Sequence, residues 1–338
     1  MSQSLSVNKR LNIRDLLSKM GIILALLILC IILAIASPNF LTMSNIMNVL
    51  RQTSINAMIA TGMLLCLITG GIDLSVGANA VTCACVMGML VQRGITSAFI
   101  LIPVALLAGS VIGVTNGLLL TKLKLPHPFV STLGMKNILS GVALLLVASQ
   151  SVPFPEGGIT WLGSANIFET ETFKGFPVSF LFVIVTFIIF SIFLRRTTLG
   201  RQIFCVGGNA EAARLSGINS DRVLTTVYGL SGFMCAIAGI MLVGRTGIAA
   251  PASAIQPYDT DAIAACIIGG ASFQGGKGTM SGTLIGALLI AVIRNGLDLL
   301  HADSAMQYVI VGLVIILAVA IDVIRTRVEA DARRRAAV

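Results

Sequence analysis

Long apolar stretches recur along this chain with little soluble sequence between them, and no other feature restricts its fold so strongly. A helix needs about 20 apolar residues to cross about 30 Å of hydrocarbon. Runs bounded by charges and by Gly or Pro fall at 20–37, 52–69, 76–91, 97–120, 129–148, 178–194, 223–243, 259–273, 282–300 and 306–324. Only 11% of the 338 residues are charged, where a soluble domain carries about a quarter. So few charges do not cover a water-facing surface, which argues against a soluble enzyme, a disordered chain and a nucleic-acid binder. The sequence predicts an all-α polytopic membrane protein of about ten transmembrane helices. The third and eighth runs are short and lie beside Gly-rich breaks. Irregular backbone cannot face lipid, so these predict broken or re-entrant segments that line a cavity.

An even number of spans puts both termini on one side, and the positive charges choose that side. With the amino end in the cytoplasm, the inner segments hold 17 of the 23 Lys and Arg. Arg51, Arg93, Lys136, Lys174, Arg245 and Arg294 are left to outer loops or the membrane interior. This divides the chain into a cytoplasmic tail at 1–19, a transmembrane domain at 20–324 and a cytoplasmic tail at 325–338. A cytoplasmic loop at 195–222 and an outer loop at 149–177 interrupt the spans. Basic residues before Ile22, followed by Ala34-Ile35-Ala36, imitate a signal peptide. The apolar run approaches a full span and many more follow, so it reads as a retained first helix.

Two segments look alike. Ile68–Gly77 (I-T-G-G-I-D-L-S-V-G) ends the second run, and Ile268–Gly276 (I-G-G-A-S-F-Q-G-G) ends the eighth. They suggest a parallel internal repeat, of the sort that frames substrate paths in transporters. Glycine also recurs at helical spacing, as Gly109, Gly113 and Gly117 and again as Gly278, Gly282 and Gly286. Residues four apart share a helix face, and missing side chains there let a second helix approach closely.

Little in the sequence speaks for catalysis. Gly275-Gly276-Lys277-Gly278-Thr279 departs from the nucleotide-binding P-loop pattern at Ala271 and Gly278, so no ATP site is expected on this chain. His127 and His301 form no H-E-x-x-H pair. The seven cysteines lack zinc-site spacing and read as small fillers within helices. Lys277 reads as an interface or lipid-headgroup contact. Polar residues inside apolar runs are costly and carry functional weight; Asn56, Asp73, Ser75, Asn79, Thr132, Asn137 and Asn295 are the candidates for a translocation path. Asp73 and Ser75 also fit a second role, capping the helix that starts near Val76.

The loop 195–222 contains Gly207-Gly208-Asn209-Ala210-Glu211-Ala212-Ala213-Arg214-Leu215-Ser216-Gly217-Ile218. Asn209 is suited to start a helix, Ala210 through Ser216 to continue it and Gly217 to stop it. The prediction is a short amphipathic helix displayed in the cytoplasm, a docking element for a separate protein.

This loop resembles the cytoplasmic coupling loop of ribose-type ABC sugar permeases. So do Thr69–Gly77, Asp261–Gly278 and Arg294-Asn295-Gly296-Leu297, in matching order within 38–324. Phe273-Gln274 and Met135-Lys136-Asn137 depart from the more usual small residues. The resemblance implies the permease subunit of a bacterial inner-membrane importer for a monosaccharide, ribose-like or related. It implies a second permease chain, the same or a sister, ABC ATPase subunits inside and a periplasmic sugar-binding protein outside. ATP and Mg would be used by the ATPase; no cofactor is expected on this chain. Gly208, Asn209, Glu211, Ala212, Arg214, Leu215 and Gly217 would form the ATPase-coupling element. Two alternatives stay open: a branched-chain amino acid permease of the same superfamily, and an ion-coupled secondary transporter using Asp73, Lys136, Arg294 or Asp298.

Overall fold

The computed structural model of the chain describes residues 13–125, 127–170, 175–252 and 257–336. Its helices are α1 Ile13–Ala36, α2 Met43–Ile68, α3 Val76–Gln92, α4 Ala98–Thr121, α5 Pro128–Leu146, α6 Ile159–Ser164, α7 Val178–Arg196, α8 Thr198–Gly208, α9 Ala210–Leu215, α10 Ser220–Thr246, α11 Tyr258–Ile268, α12 Met280–Leu299 and α13 Ser304–Ala336. A helix covers each apolar run in whole or in part. Two ribbons interrupt the helical pattern. β1 (Val152–Pro153) pairs antiparallel with β4 (Ile248–Ala249), and β2 (Asn166–Ile167) with β3 (Phe176–Pro177). Lys9, Arg10, Glu171 and Lys174 lie outside the described residues, as does most of the 1–19 tail.

Among the described residues, α4, α5, α7, α10 and α12 are each long and apolar enough to cross a membrane, which makes this a multi-pass membrane protein. The two short runs give short helices, 17 residues in α3 and 11 in α11. In two places the structure goes beyond the sequence reading. Helix α2 begins at Met43 rather than 52, because Asn45, Asn48, Arg51 and Gln52 hide its first turns from an apolar criterion. Helix α8 fills half of what reads as a linker; Thr197 starts it by accepting a hydrogen bond from the Gly200 N–H at 3.0 Å.

Burial sorts the helices. α2 is closed off on all sides from Thr53 through Ile68, as expected where a helix is hydrophobic all round. Within the apolar window of α10, 83% of residues are buried, against 22% in α4, so α10 lies inside and α4 at the rim. Phe99, Leu145, Ile188 and Leu317 on outer helices remain exposed.

The glycine series mark close backbone contacts. A side chain on Gly113 would run into the Tyr228 carbonyl and Gly232 of α10, and one on Gly232 into the Gly109 carbonyl of α4. Tight packing of this kind drives helix association in lipid, where burial against water is not available as a force. In the second series, Gly282 lies against the Gly269 carbonyl and Gly286 against that of Ala265.

The two look-alike segments end in the same hydrogen-bond pattern, one that also closes α3 at Gly94 and α9 at Gly217 and so does not by itself mark a repeat. After α2, Gly71 N–H donates to the Cys66 carbonyl at 3.0 Å and Gly70 N–H to that of Leu67 at 2.9 Å, with Gly70 at φ +80°. After α11, Ala271 donates to Cys266 at 2.9 Å and Gly270 to Ile267 at 2.9 Å, with Gly270 at φ +88°. Both are Schellman ends, whose left-handed residue favours glycine.

Contacts between helix ends fall into two sets. At one end meet Ile68, Gly71, Thr132, Gly207, Tyr228 and Gly276; at the other, Asn48, Arg51, Asn166, Gly163, Gly244 and Arg245.

Replacing Gly113 by Leu is expected to force α4 from α10 and destabilise the protein by about 1–3 kcal/mol or more. Gly141, with open space around it in α5, is the control: Gly141→Ala should hold or slightly raise stability. Thermal unfolding in detergent should therefore lower the melting temperature of the first variant only.

Candidate functional site

The first turn of α11 reads Tyr258-Asp259-Thr260-Asp261. Carboxylates are favoured there by the unsatisfied N–H groups of a helix start. Residues two apart on a helix do not share a face, so the two Asp side chains reach different neighbours. Asp259 accepts from Lys136 Nζ of α5 at 2.6 Å, with the carboxylate 4% exposed and the lysine 32%. Asp261 meets Arg294 of α12 through two bonds, Nε to Oδ2 at 2.6 Å and Nη2 to Oδ1 at 2.7 Å. A fork-to-fork pair of this kind combines charge with fixed geometry. Removing one partner of a buried pair costs about 3–5 kcal/mol, so these bonds tie α11 to α5 and α12.

Beside the second pair lies a cavity of about 380 Å³. Gln52 and Asn56 line it from α2, Arg245 from α10, Tyr258 and Asp261 from α11, Arg294 and Asp298 from α12, and Gln307 and Tyr308 from α13. Asn56 Oδ1 is buried there without a hydrogen-bond partner. Arg245 Nη2 donates to Asn48 Oδ1 at 3.3 Å, and Gln307 Nε2 to Asp298 Oδ1 at 2.8 Å.

The structure disperses the seven path candidates, and Asn56 is the one on this cavity. Asp73 and Ser75 come together in a closed network after α2. Asp73 Oδ1 accepts from the Ser75 N–H at 3.0 Å and from Ser75 Oγ at 2.6 Å, while Ser231 Oγ donates to Oδ2 at 3.4 Å. Asn116 Nδ2 donates to Ser75 Oγ at 2.8 Å. Ser75 precedes α3 but makes no side-chain cap bond, so the pair braces the turn rather than capping the helix directly. Asn79 Nδ2 donates to the Gly109 carbonyl at 3.3 Å, and Thr132 Oγ1 to that of Ile72 at 3.2 Å. Asn295 exchanges two 2.8 Å bonds with Asn45. Asn137 is exposed on α5. Asp261, Arg294, Arg245 and Tyr258 were not among the path candidates. The signal for them was present: three charged residues inside or beside apolar runs.

At the opposite end, α8 and α9 form an arm. Asn209 Oδ1 accepts from the Ala212 N–H at 2.9 Å, and Gly217 follows α9 at φ +81°, as the sequence predicts. Glu211 and Arg214 pair through bonds of 2.6 and 3.1 Å on its exposed face. The guanidinium holds the Glu211 carboxyl below its ordinary range and is itself raised. Leu215 is 75% exposed. The arm buries Ile203, Val206 and Ala213 in the core, and close backbone contacts wedge it into the bundle. Gly207 sits against the Ile68 carbonyl and Gly276 N, Gly275 against the Gly207 carbonyl and Gly70, and Gly276 N–H donates to the Ile68 carbonyl at 2.8 Å. Both Schellman turns and the arm therefore share this end of the bundle, and the arm touches the first of them and the loop after the second.

Comparison with known proteins follows the same lines. The chain is 41% identical over 318 residues to the ribose import permease protein of Bacillus subtilis, covering 93% of this chain and 95% of that one. It is 38% identical to the ribose import permease protein of Escherichia coli K12, over 89% and 92%. It is 36% identical to the galactose/methyl galactoside import permease protein of Haemophilus influenzae, over 91% and 95%. No solved structure matches. Matched over residues 45–319 by the family described as branched-chain amino acid transport system / permease component, the chain belongs to this family of membrane permeases.

Proposed function

We propose that the chain is the membrane-spanning subunit of an ATP-driven importer for a monosaccharide in a bacterial inner membrane. The relatives named for ribose and galactose support a sugar over a branched-chain amino acid. The chain crosses the bilayer ten times with both termini in the cytoplasm. A second permease chain lies beside it, ATPase subunits dock inside, and a sugar-loaded binding protein docks on the outer loop 149–177. ATP and Mg belong to the ATPase, and this chain makes no covalent change to its cargo.

One observation carries the reading: the exposed helix α9 continues directly into the Gly207–Gly208 wedge at the inner ends of α2 and α11. ATPase closure moves α9, and the wedge passes that displacement to the helices that line the cavity. Such a two-state switch requires each partner to make different contacts in the two states. An ion-coupled mechanism is less well served, because Lys136 and Arg294 are occupied in ion pairs, Asp73 is held by Ser75 and Ser231, and Asp298 accepts from Gln307.

Transport, labelling and substitution experiments test this. Vesicles holding the permease, its ATPase and the loaded receptor should take up sugar only with ATP; uptake from an ion gradient without the ATPase would overturn the reading. An Ala212→Cys variant should resist membrane-impermeant thiol reagents in intact cells and react after lysis. Reversing Glu211 or Arg214 should release the ATPase, and Gly207→Ala should lower transport per ATP hydrolysed by ten-fold or more, whereas Gly141→Ala, with open space at its Cβ and away from the arm, should behave as wild type. Since the Glu211 pKa is lowered, its charge persists through neutral pH. ATPase attachment should weaken only as pH falls through and below the ordinary carboxylate range.

A further inference from the structure

The cavity between α2, α11 and α12 has a chemistry that singles out one kind of occupant. Its volume, about 380 Å³, stands at the small end of ligand pockets, about 300–1,000 Å³. Nine of its thirteen lining side chains are polar or charged. The four charged ones, two Arg and two Asp, balance. An ionic cargo would leave the cavity with a net charge, since Asp261 and Arg294 satisfy one another and Arg245 and Asp298 offset one another. A neutral ligand enters without that cost.

We infer that this cavity holds the imported monosaccharide during passage, with Asn56 and the Asp261–Arg294 pair binding its hydroxyls and Tyr258 forming one wall. The inference rests on the importer function proposed above and assigns it a place. A sugar hydroxyl both donates and accepts, so it needs mixed partners converging on one space. Arg294 spends two of its five N–H groups on Asp261 and keeps three. Asp261 keeps lone pairs beyond those used by the arginine. Asn56, 7% exposed, lines the cavity, and its Oδ1 has no hydrogen-bond partner of its own. Gln52 lies one turn away on the same face of α2 and extends the row. The ion pair serves the sugar best while intact: it fixes donors and acceptors in a plane and makes them neutral as a set.

The test uses the complete transporter in vesicles, with ATPase and loaded receptor, and compares sugars that differ at one hydroxyl: ribose with xylose, and galactose with glucose. Asn56→Leu and Gln52→Leu are measured separately, each first shown to copurify with the ATPase. Either variant that assembles should lower uptake of the preferred sugar ten-fold or more and narrow its preference over the epimer, while receptor affinity stays constant. Asn56→Gln should restore part of both. Wild-type uptake and preference in the assembled Leu variants would overturn the assignment while leaving the importer function standing. Failure of the unaltered transporter to import any of the four sugars would instead overturn the function on which the assignment rests.

Discussion

In hydrocarbon, every peptide N–H and C=O must find its partner within the protein, and the interruptions of α2–α3 and α11–α12 exist only because that condition is met twice in the same way. Each break closes its helix with a Schellman pair and a left-handed glycine, Gly70 or Gly270. The freed chain then binds other chain. Gly276 N–H donates to Ile68, and the Asp73 carboxylate takes the Ser75 N–H. Without these closures the buried turns would carry open polar groups, each costing about 1–3 kcal/mol. The inner end of the bundle, the arm and the short helices α3 and α11 all depend on them.

Two kinds of buried polar group result, and they differ in what they leave available. Around Asp73 the donors converge on the carboxylate from its own turn and from α10, and the network is closed to the outside. Around Asp261 the carboxylate meets one guanidinium that borders open space. Both aspartates are buried to a similar degree, 2% and 5% exposed, so burial does not separate a brace from a binding group. Satisfaction does: a group whose partners leave no opening holds structure, and one on a cavity wall with unused hydrogen-bonding capacity is free to meet cargo.

That distinction explains what could be read from the chain before its fold was known. The apolar runs announce the helices because lipid demands a long apolar stretch, and Asn209 and Gly217 announce α9 because caps are local chemistry. Gly113 and Gly232 are readable as packing positions in kind, though the first lies in a periodic series and the second does not. The polar sites are less accessible. Asn56, Asp73 and Asn295 look equivalent in sequence, each a polar residue amid apolar ones, yet one lines a cavity, one braces a turn and one pairs with Asn45 on the first turns of α2. Partners 158 residues away for Asp73 and 250 for Asn295 decide between these roles. Helix α8 escaped for a different reason: its glycines suggest a linker, yet Gly207 is in close contact with Ile68 and Gly200 with Phe193 and Leu194.

The two ends of the molecule are joined by rigid elements rather than by a chain of side chains. Helix α2 carries Asn56 on the cavity and Ile68 under the wedge. Twelve residues at 1.5 Å each separate the two points by about 18 Å. Buried along this whole length, α2 has little freedom to bend, so a tilt imposed at Ile68 must reappear at Asn56. Helix α11 does the same over a shorter reach, from Asp261 to the Gly270 turn. The two rods face one another across the Cys266 thiol, which donates to the Ala60 carbonyl at 3.3 Å. The arm's Gly207 lies against Ile68 at the end of α2 and against Gly276 in the loop that follows α11, so one element touches the chain beyond both rods. Helix α12 is packed against α11 through Gly282 and Gly286, so the Asp261–Arg294 pair joins two helices that backbone contacts already hold together.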